Sequence, residues 1–205
     1  VGDHHKAINR KLGQSLIVCA MYYGSSVARG FCHLRGWGDQ PLDHAEAFRL
    51  FEESASREGD VNALAMVGYC YRHGCGTEAN FREAVIAFTT ASKRKSSWAM
   101  TMLAMCYSEY VDREFDKAFR LYRKAAQMGN AKAMFDLAGL YFEGIGVDKD
   151  VKQSQIWYRS AAELNYAPAR EKVIKENETK EVDDVSNTIL SNHGSKFNTL
   201  EERDN

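Results

Sequence analysis

Proline is almost absent from this chain: Pro41 and Pro168 are the only two in 205 residues, against fifteen glycines. That ratio suits helices joined by short turns better than a strand-rich sandwich. Charge of one sign is also missing. The formal net charge is −1, so no overall field draws nucleic acid or an anionic membrane surface. The one basic cluster, Lys93-Arg94-Lys95, falls where a helix should end and complements the helix dipole. No uninterrupted apolar run approaches the ~18 residues needed to span a bilayer. Cysteine follows no regular spacing: Cys19, Cys32, Cys70, Cys75 and Cys106 are an odd number, which argues against a disulfide framework. A cytoplasmic or other reducing compartment is therefore expected. The competing reading is a secretory signal within residues 6–28, where basic residues precede SLIVCAMYYG and a small-residue Ser26-Val27-Ala28 stretch.

What the chain has is repetition. ALAMVGYCYRHGCG from Ala63, AMTMLAMCYSEY from Ala99 and AMFDLAGLYFEGIG from Ala133 align. In each, a small residue is followed four, five and eight positions later by an apolar residue, a small residue and a tyrosine. These are Val67, Gly68, Tyr71; Leu103, Ala104, Tyr107; and Leu137, Ala138, Tyr141. Such spacing collects them on one helical face. A second set follows, built on Ala84 and Phe88, Ala118 and Tyr122, and Ser154 and Tyr158, with an earlier copy at Ala47 and Phe51. The aromatic column Phe51, Phe88, Tyr122, Tyr158 steps by 37, 34 and 36 residues.

Start signals keep the same register. Asp43-x-x-Glu46, Asn80-x-x-Glu83 and Asp150-x-x-Gln153 read as capping boxes opening each second helix. The third repeat departs: it is two residues short, lacks the Gly-x-Gly turn and offers only Asp112 or Glu114 as a looser cap. The pattern predicts an all-α fold, an α/α superhelical solenoid of helix-turn-helix repeats. Small residues let paired helices approach, and each aromatic fills the gap between units. Residues 1–24 are expected to form an N-terminal capping helix or half repeat, 25–175 about four units, and 176–205 a polar tail. Val182, Val185 and Ile189 in that tail fall at helical spacing and predict a short helix near Val182–Leu190 that docks on the last units or in the concave face.

With Gly-x-Gly after the first helix, Asp at the start of the second, then an aromatic, Ala-Ala and Gly, the chain resembles the Sel1-like repeat, a variant of the tetratricopeptide-type α/α solenoid. LAGLYFEGIGVDKDVKQSQIWYRSAAELN, from Leu137 to Asn165, carries the resemblance best, and YRKAAQMGNAKAM, from Tyr122 to Met134, nearly as well. It is weakest in the first helix of the earliest unit, where His33 stands in place of a tyrosine. The resemblance implies an adaptor or regulatory role and a binding surface on the first helices, which line the concave side in that family.

Sites of other kinds have weaker support. The pairs Gly36/Gly38, Gly74/Gly76 and Gly144/Gly146 recur at the repeat period, with no strand before them and no Gly-Lys-Ser/Thr after, so they read as turns rather than phosphate loops. Cys70, His73 and Cys75 lack the second ligand pair of a closed zinc site, and an ordinary buried thiol is the simpler reading. No Ser/His/Asp or Cys/His arrangement carries a motif. No catalytic, cofactor or metal residue is expected.

The face turned away from the packing column is more informative. Positions +2, +3, +6 and +10 of the first helices are Ala65, Met66, Tyr69, His73; Thr101, Met102, Met105, Glu109; and Phe135, Asp136, Gly139, Glu143. A purely solvated face would be charged, whereas this one carries three Met, a Tyr and a Phe. Met66, Tyr69, Thr101, Met102, Met105, Phe135 and Asp136 are thus the candidates for contact with a protein or peptide partner. The competing reading is tighter packing between successive first helices, or cover by the tail. A non-catalytic protein-binding scaffold is the leading function; a metal- or redox-responsive module, or a hydrolase with an unrecognised site, is the alternative. Nothing in the pattern sets the oligomeric state.

Overall fold

The computed structural model describes residues 2–109 and 114–176, with side chains from residue 11 onward. The tail helix expected near Val182–Leu190 and the candidate cap Asp112 lie outside the described residues. Among these, the chain forms helices and no strand. The helices are α1 (Gly2–Tyr22), α2 (Ser26–Arg35), α3 (His44–Arg57), α4 (Val61–His73), α5 (Phe81–Lys93), α6 (Ser97–Glu109), α7 (Phe115–Gln127), α8 (Ala131–Glu143), α9 (Val151–Glu163) and α10 over residues 167–176. They fall into two compact units divided between Gly129 and Asn130. The first unit holds α1–α7 and the second α8–α10.

Within the first unit each helix packs on the next along the chain. The aromatic column explains why. Phe51, fully buried on α3, sits among Leu34 of α2 and Met66, Val67 and Cys70 of α4. Phe88 on α5 does the same between Ala65 of α4 and Ala99, Met102, Leu103 and Cys106 of α6. Each ring therefore belongs to two repeats at once, and burying it contributes roughly 1.5–3 kcal/mol to holding them together. The approach is close enough to require a missing side chain. A Cβ on Gly68 would lie 2.9 Å from the Phe88 ring. In the second unit, Tyr158 is buried on α9 with Phe135 of α8 edge-on to it at 5.2 Å.

The joint between paired helices is built from backbone as much as from side chains. Gly74 ends α4 in the left-handed conformation (φ 67°), donating to the Cys70 carbonyl. Gly76 follows at φ 76°, and a Cβ there would sit 2.0 Å from the His44 carbonyl oxygen. At the start of the second helices, Asp43, Asn80 and Asp150 accept from the N–H of Glu46, Glu83 and Gln153. The capping-box expectation assigned the cap residue's own N–H to the Glu or Gln side chain. That N–H goes elsewhere. Asp43, Asn80 and Asp150 donate it to the carbonyls of His33, Tyr71 and Tyr141, at 2.9, 2.8 and 2.9 Å. The tyrosine-column position is thus also where the first helix is stitched to the second. His33 occupies it in the first repeat, its ring Nδ1 lying 3.2 Å from the Pro41 carbonyl oxygen in the intervening turn. The third repeat has the looser joint: Glu114 caps α7 without a capping bond from its side chain, whose carboxylate pairs with Lys117 instead.

Candidate protein-binding surface

The first helices of successive repeats in the first unit are α2, α4 and α6. Each is flanked by second helices, α4 packing against both α3 and α5 and α6 against both α5 and α7. Flanking on two sides leaves only a narrow strip of each first helix uncovered. This corrects the residue set expected from the helical register. Thr101 is fully buried, its hydroxyl donating to the Ser97 carbonyl at 2.9 Å. Met102 is 7% exposed and packs in the core with Phe88 and Leu103. Met66, 5% exposed, belongs mainly to the core around Phe51. Of the positions assigned to the outer face, +2 and +3 turn inward in α4 and α6. The sixth position stays half-buried: Tyr69 on α4 and Met105 on α6. The same register carried back through Gly30 reaches Phe31 on α2, also half-buried.

Phe31 borders a cleft of about 600 Å³ between α1, α2, α4 and the start of α6, whose lining does not include Tyr69 or Met105. Its apolar lining comes from Leu16, Ile17 and Ala20 of α1, Val27 and Phe31 of α2, Met66 of α4 and Trp98 of α6. Ser25, Asp60 and Asn62 form its polar side. Trp98 links the rows: its ring lies 6.3 Å from Tyr69 and 6.1 Å, edge-on, from Phe88. Tyr69 stacks in turn with His73 at 4.3 Å. The Asp60 carboxylate is engaged as the cap of α4, accepting from Asn62 and Ala63. A cleft of this size and lining suits apolar side chains of a helix or peptide.

Register reasoning missed Phe31, Trp98 and the α1 residues. Phe31 was findable, because Gly30 matches Gly68 as the glycine under an aromatic ring. Trp98 precedes the first small residue by one position and fell outside the frame. Nothing in the repeat pattern brings α1 to the cleft, since α1 is not a repeat helix.

In the second unit, Phe135 is half-buried against Tyr158 and against Tyr166 at 5.5 Å. Asp136 accepts from Lys132 Nζ at 2.9 Å. Lys149 and Lys172 both lie over the Phe142 ring, at 5.3 and 5.2 Å.

The cysteines divide by burial. Cys32, Cys70 and Cys106 are buried, Cys75 is half-buried and Cys19 is exposed. Loss of hydration pushes the Cys70 thiol up to about 12, with Cys75 and Glu52 adding to the rise. Burial likewise pushes Cys106 up to about 11, against a lowering influence from Arg72. Thiols held so high are poor nucleophiles and poor ligands at neutral pH. Among the described residues, no three His, Cys, Asp or Glu side chains converge as a metal site would require. None of the described helices is long and apolar enough to cross a membrane.

Helix pairs at the repeat spacing, wedged by an aromatic and, except in the third, joined through a left-handed glycine, define an α/α repeat protein. The Sel1 repeat matches at residues 19–58, 61–92, 99–130 and 131–166, and the chain belongs to that family. Sel1 repeats mediate protein–protein interaction. Among curated proteins, the chain is 30% identical over 131 residues to chitin synthase regulatory factor 3 of Schizosaccharomyces pombe, covering 62% of this chain and 14% of that protein. It is 31% identical over 104 residues to an F-box protein of Arabidopsis thaliana, covering 50% and 28%. The chain thus spans less than a third of the length of these relatives. Among solved structures, it is similar to a protective antigen of uropathogenic Escherichia coli with an SLR fold, at TM-score 0.62 and 27% identity over 70% of this chain and 31% of that one. It also shares its fold with a Sel1 repeat protein of Oxalobacter formigenes, at TM-score 0.65 and 21% identity over 77% of this chain and 64% of that one.

Proposed function

We propose that this chain is a non-catalytic regulatory adaptor that captures a helix or extended peptide of a partner protein along its first helices. The observation that carries the reading is the apolar cleft between α1, α2, α4 and α6, floored by Phe31, Met66 and Trp98. Tyr69 and Met105 continue its apolar surface along α4 and α6. In the second unit, Phe135 and Asp136 are the candidate contacts. The names of the curated relatives support a regulatory role: chitin synthase regulatory factor 3 and the chitin synthase regulator SKT5 of Saccharomyces cerevisiae, 30% identical over 125 residues. Their enzyme is not carried over to this chain.

Panning a peptide-display library on the purified chain tests the reading. Enriched peptides should carry apolar side chains at helical i, i+3/i+4, i+7 spacing. Their binding should fall by at least about tenfold in Trp98→Ala, which opens the floor, and in Asn62→Arg, which hangs a long charged side chain over the cleft. Peptides that bind these folded variants as well as the parent chain would sink the proposal.

A further inference from the structure

Three first helices end in the same turn. The N–H of the residue after the left-handed glycine donates to a carbonyl five residues earlier: Trp37 to Cys32 on α2, Cys75 to Cys70 on α4 and Ile145 to Leu140 on α8, at 2.9, 3.0 and 3.0 Å. Such a turn folds the later residue back over the earlier one, and their side chains meet in an apolar contact. The first repeat shows it: Trp37 packs against the cluster that holds Cys32. In the fourth, Leu140 and Ile145 are the apolar pair at these positions. In the second repeat the pair is two thiols.

Cys75 packs against the cluster that contains Cys70, and its electrostatic influence reaches the Cys70 thiol. A disulfide needs Cα atoms roughly 4.4–6.8 Å apart, a separation that a turn closed by a bond from its sixth residue to its first provides. Cys70 is fully buried and Cys75 half-buried, so a reagent in solution meets Cys75 first. No other cysteine of the chain has a second one five residues on. The pairing is therefore particular to the turn between α4 and α5.

We propose that Cys70 and Cys75 form a redox-active dithiol, which a low-molecular-weight disulfide such as oxidised glutathione converts to an intramolecular disulfide. The Cys75 thiolate attacks one sulfur of the oxidant, whose S–S bond breaks and releases one thiolate. Cys70, its proton lost to solvent, then attacks the Cys75 sulfur and expels the second thiolate. Two electrons pass from the cysteines to the oxidant, which takes up the two released protons and ends as two thiols. Burial keeps Cys70 protonated, so the second step is the slow one. The turn offsets that by holding the mixed disulfide beside it. Gly76, the next residue, lies so close to the His44 carbonyl of α3 that no Cβ fits. The disulfide thus fastens the turn by which the second repeat sits on the first. This inference does not depend on the cleft being a binding site.

Mass spectrometry of the whole 205-residue chain tests it. Treated with millimolar oxidised glutathione at about pH 8.5 and then alkylated, the chain should carry neither label nor glutathione at these two residues. Trypsin cleaves after Arg72, between them, so residues 58–72 and 73–82 should emerge as one species that parts on reduction. Cys70→Ala should leave Cys75 holding glutathione as a stable mixed disulfide, and Cys75→Ala should leave Cys70 unmodified. Circular dichroism checks that both variants keep their helices. Exchange of the Cys75 amide hydrogen should slow by roughly tenfold or more on oxidation. Both thiols still free for alkylation after a day with the oxidant overturn the proposal. A lasting glutathione adduct on Cys75 of the unaltered chain overturns it too, because Cys70 then does not reach that sulfur. So does a disulfide from either residue to Cys19, Cys32 or Cys106. Exchange unmoved by oxidation would show that the turn is not fastened.

Discussion

The second repeat, α4 and α5, and the third, α6 and α7, have the same packing and different joints. Between α4 and α5 the chain turns through Gly74 and Gly76, the Asn80 N–H donates to the Tyr71 carbonyl, and the Asn80 side chain caps α5. The third repeat is two residues shorter, has no Gly-x-Gly, and starts α7 from Glu114 with no capping bond from its side chain. Its helices pair nonetheless, with Tyr122 buried where Phe88 is buried in the second repeat. Aromatic and alanine packing therefore holds a helix pair together, while the turn sets how the chain enters it. Turn chemistry is worth about 1 kcal/mol per capping bond, against several for a buried ring.

The largest effect should come from the column itself. Phe88→Ala and Tyr122→Ala should each cost ~3–5 kcal/mol, as truncations of large buried aromatics do. If packing carries both repeats, the two losses will be similar in urea denaturation followed by circular dichroism. A Tyr122→Ala variant as stable as its parent would mean that the third repeat is held by something other than its aromatic wedge.

A smaller effect separates the joints. Asn80→Ala removes a bonded cap and should cost ~1 kcal/mol, whereas Glu114→Ala removes none and should cost only a few tenths. The converse change, Glu114→Ser, should stabilise the third repeat by up to ~1 kcal/mol if a hydroxyl there reaches the first N–H groups of α7. Equal losses for Asn80→Ala and Glu114→Ala would erase the distinction between the two joints.

The smallest effect concerns pH. Cys70 and Cys106 sit at the same register position, on α4 and α6. Burial raises the first from an ordinary 9.0 to about 12 and the second to about 11. Between about pH 9 and those values the unfolded chain loses thiol protons that the folded chain keeps. Stability is thus fully present below pH 9, falls as the pH rises, and levels off once the folded thiols ionise. Cys70→Ala and Cys106→Ala should each flatten that fall when melting temperatures are compared at pH 8 and pH 10.5. An unchanged slope in both variants would show that other groups govern the alkaline loss.

The fold was legible because its determinants are local and recur. Small residues at one spacing, an aromatic at another and a cap residue at the head of each second helix specify a helix pair, and seeing them repeated specifies stacking. The exposure of the candidate residues was legible only in part. Tyr69 and Met105 stay half-buried, while Met66, Thr101 and Met102 are buried by neighbours that a single helix's register cannot show. A helical wheel treats each helix as having one neighbour, and a stacked first helix has several.

By itself, the sequence determined the helix pairs, their turns, the aromatic wedges and the membership of the Sel1 repeat family, all of which depend on residues within a few turns of one another. Only the tertiary structure decided which side chains remain outside. It brought Leu16 and Ile17 of α1, Phe31 of α2 and Trp98 of α6 around one cleft. The reason is physical: exposure is a property of what packs against a residue, and those neighbours lie tens of residues away along the chain.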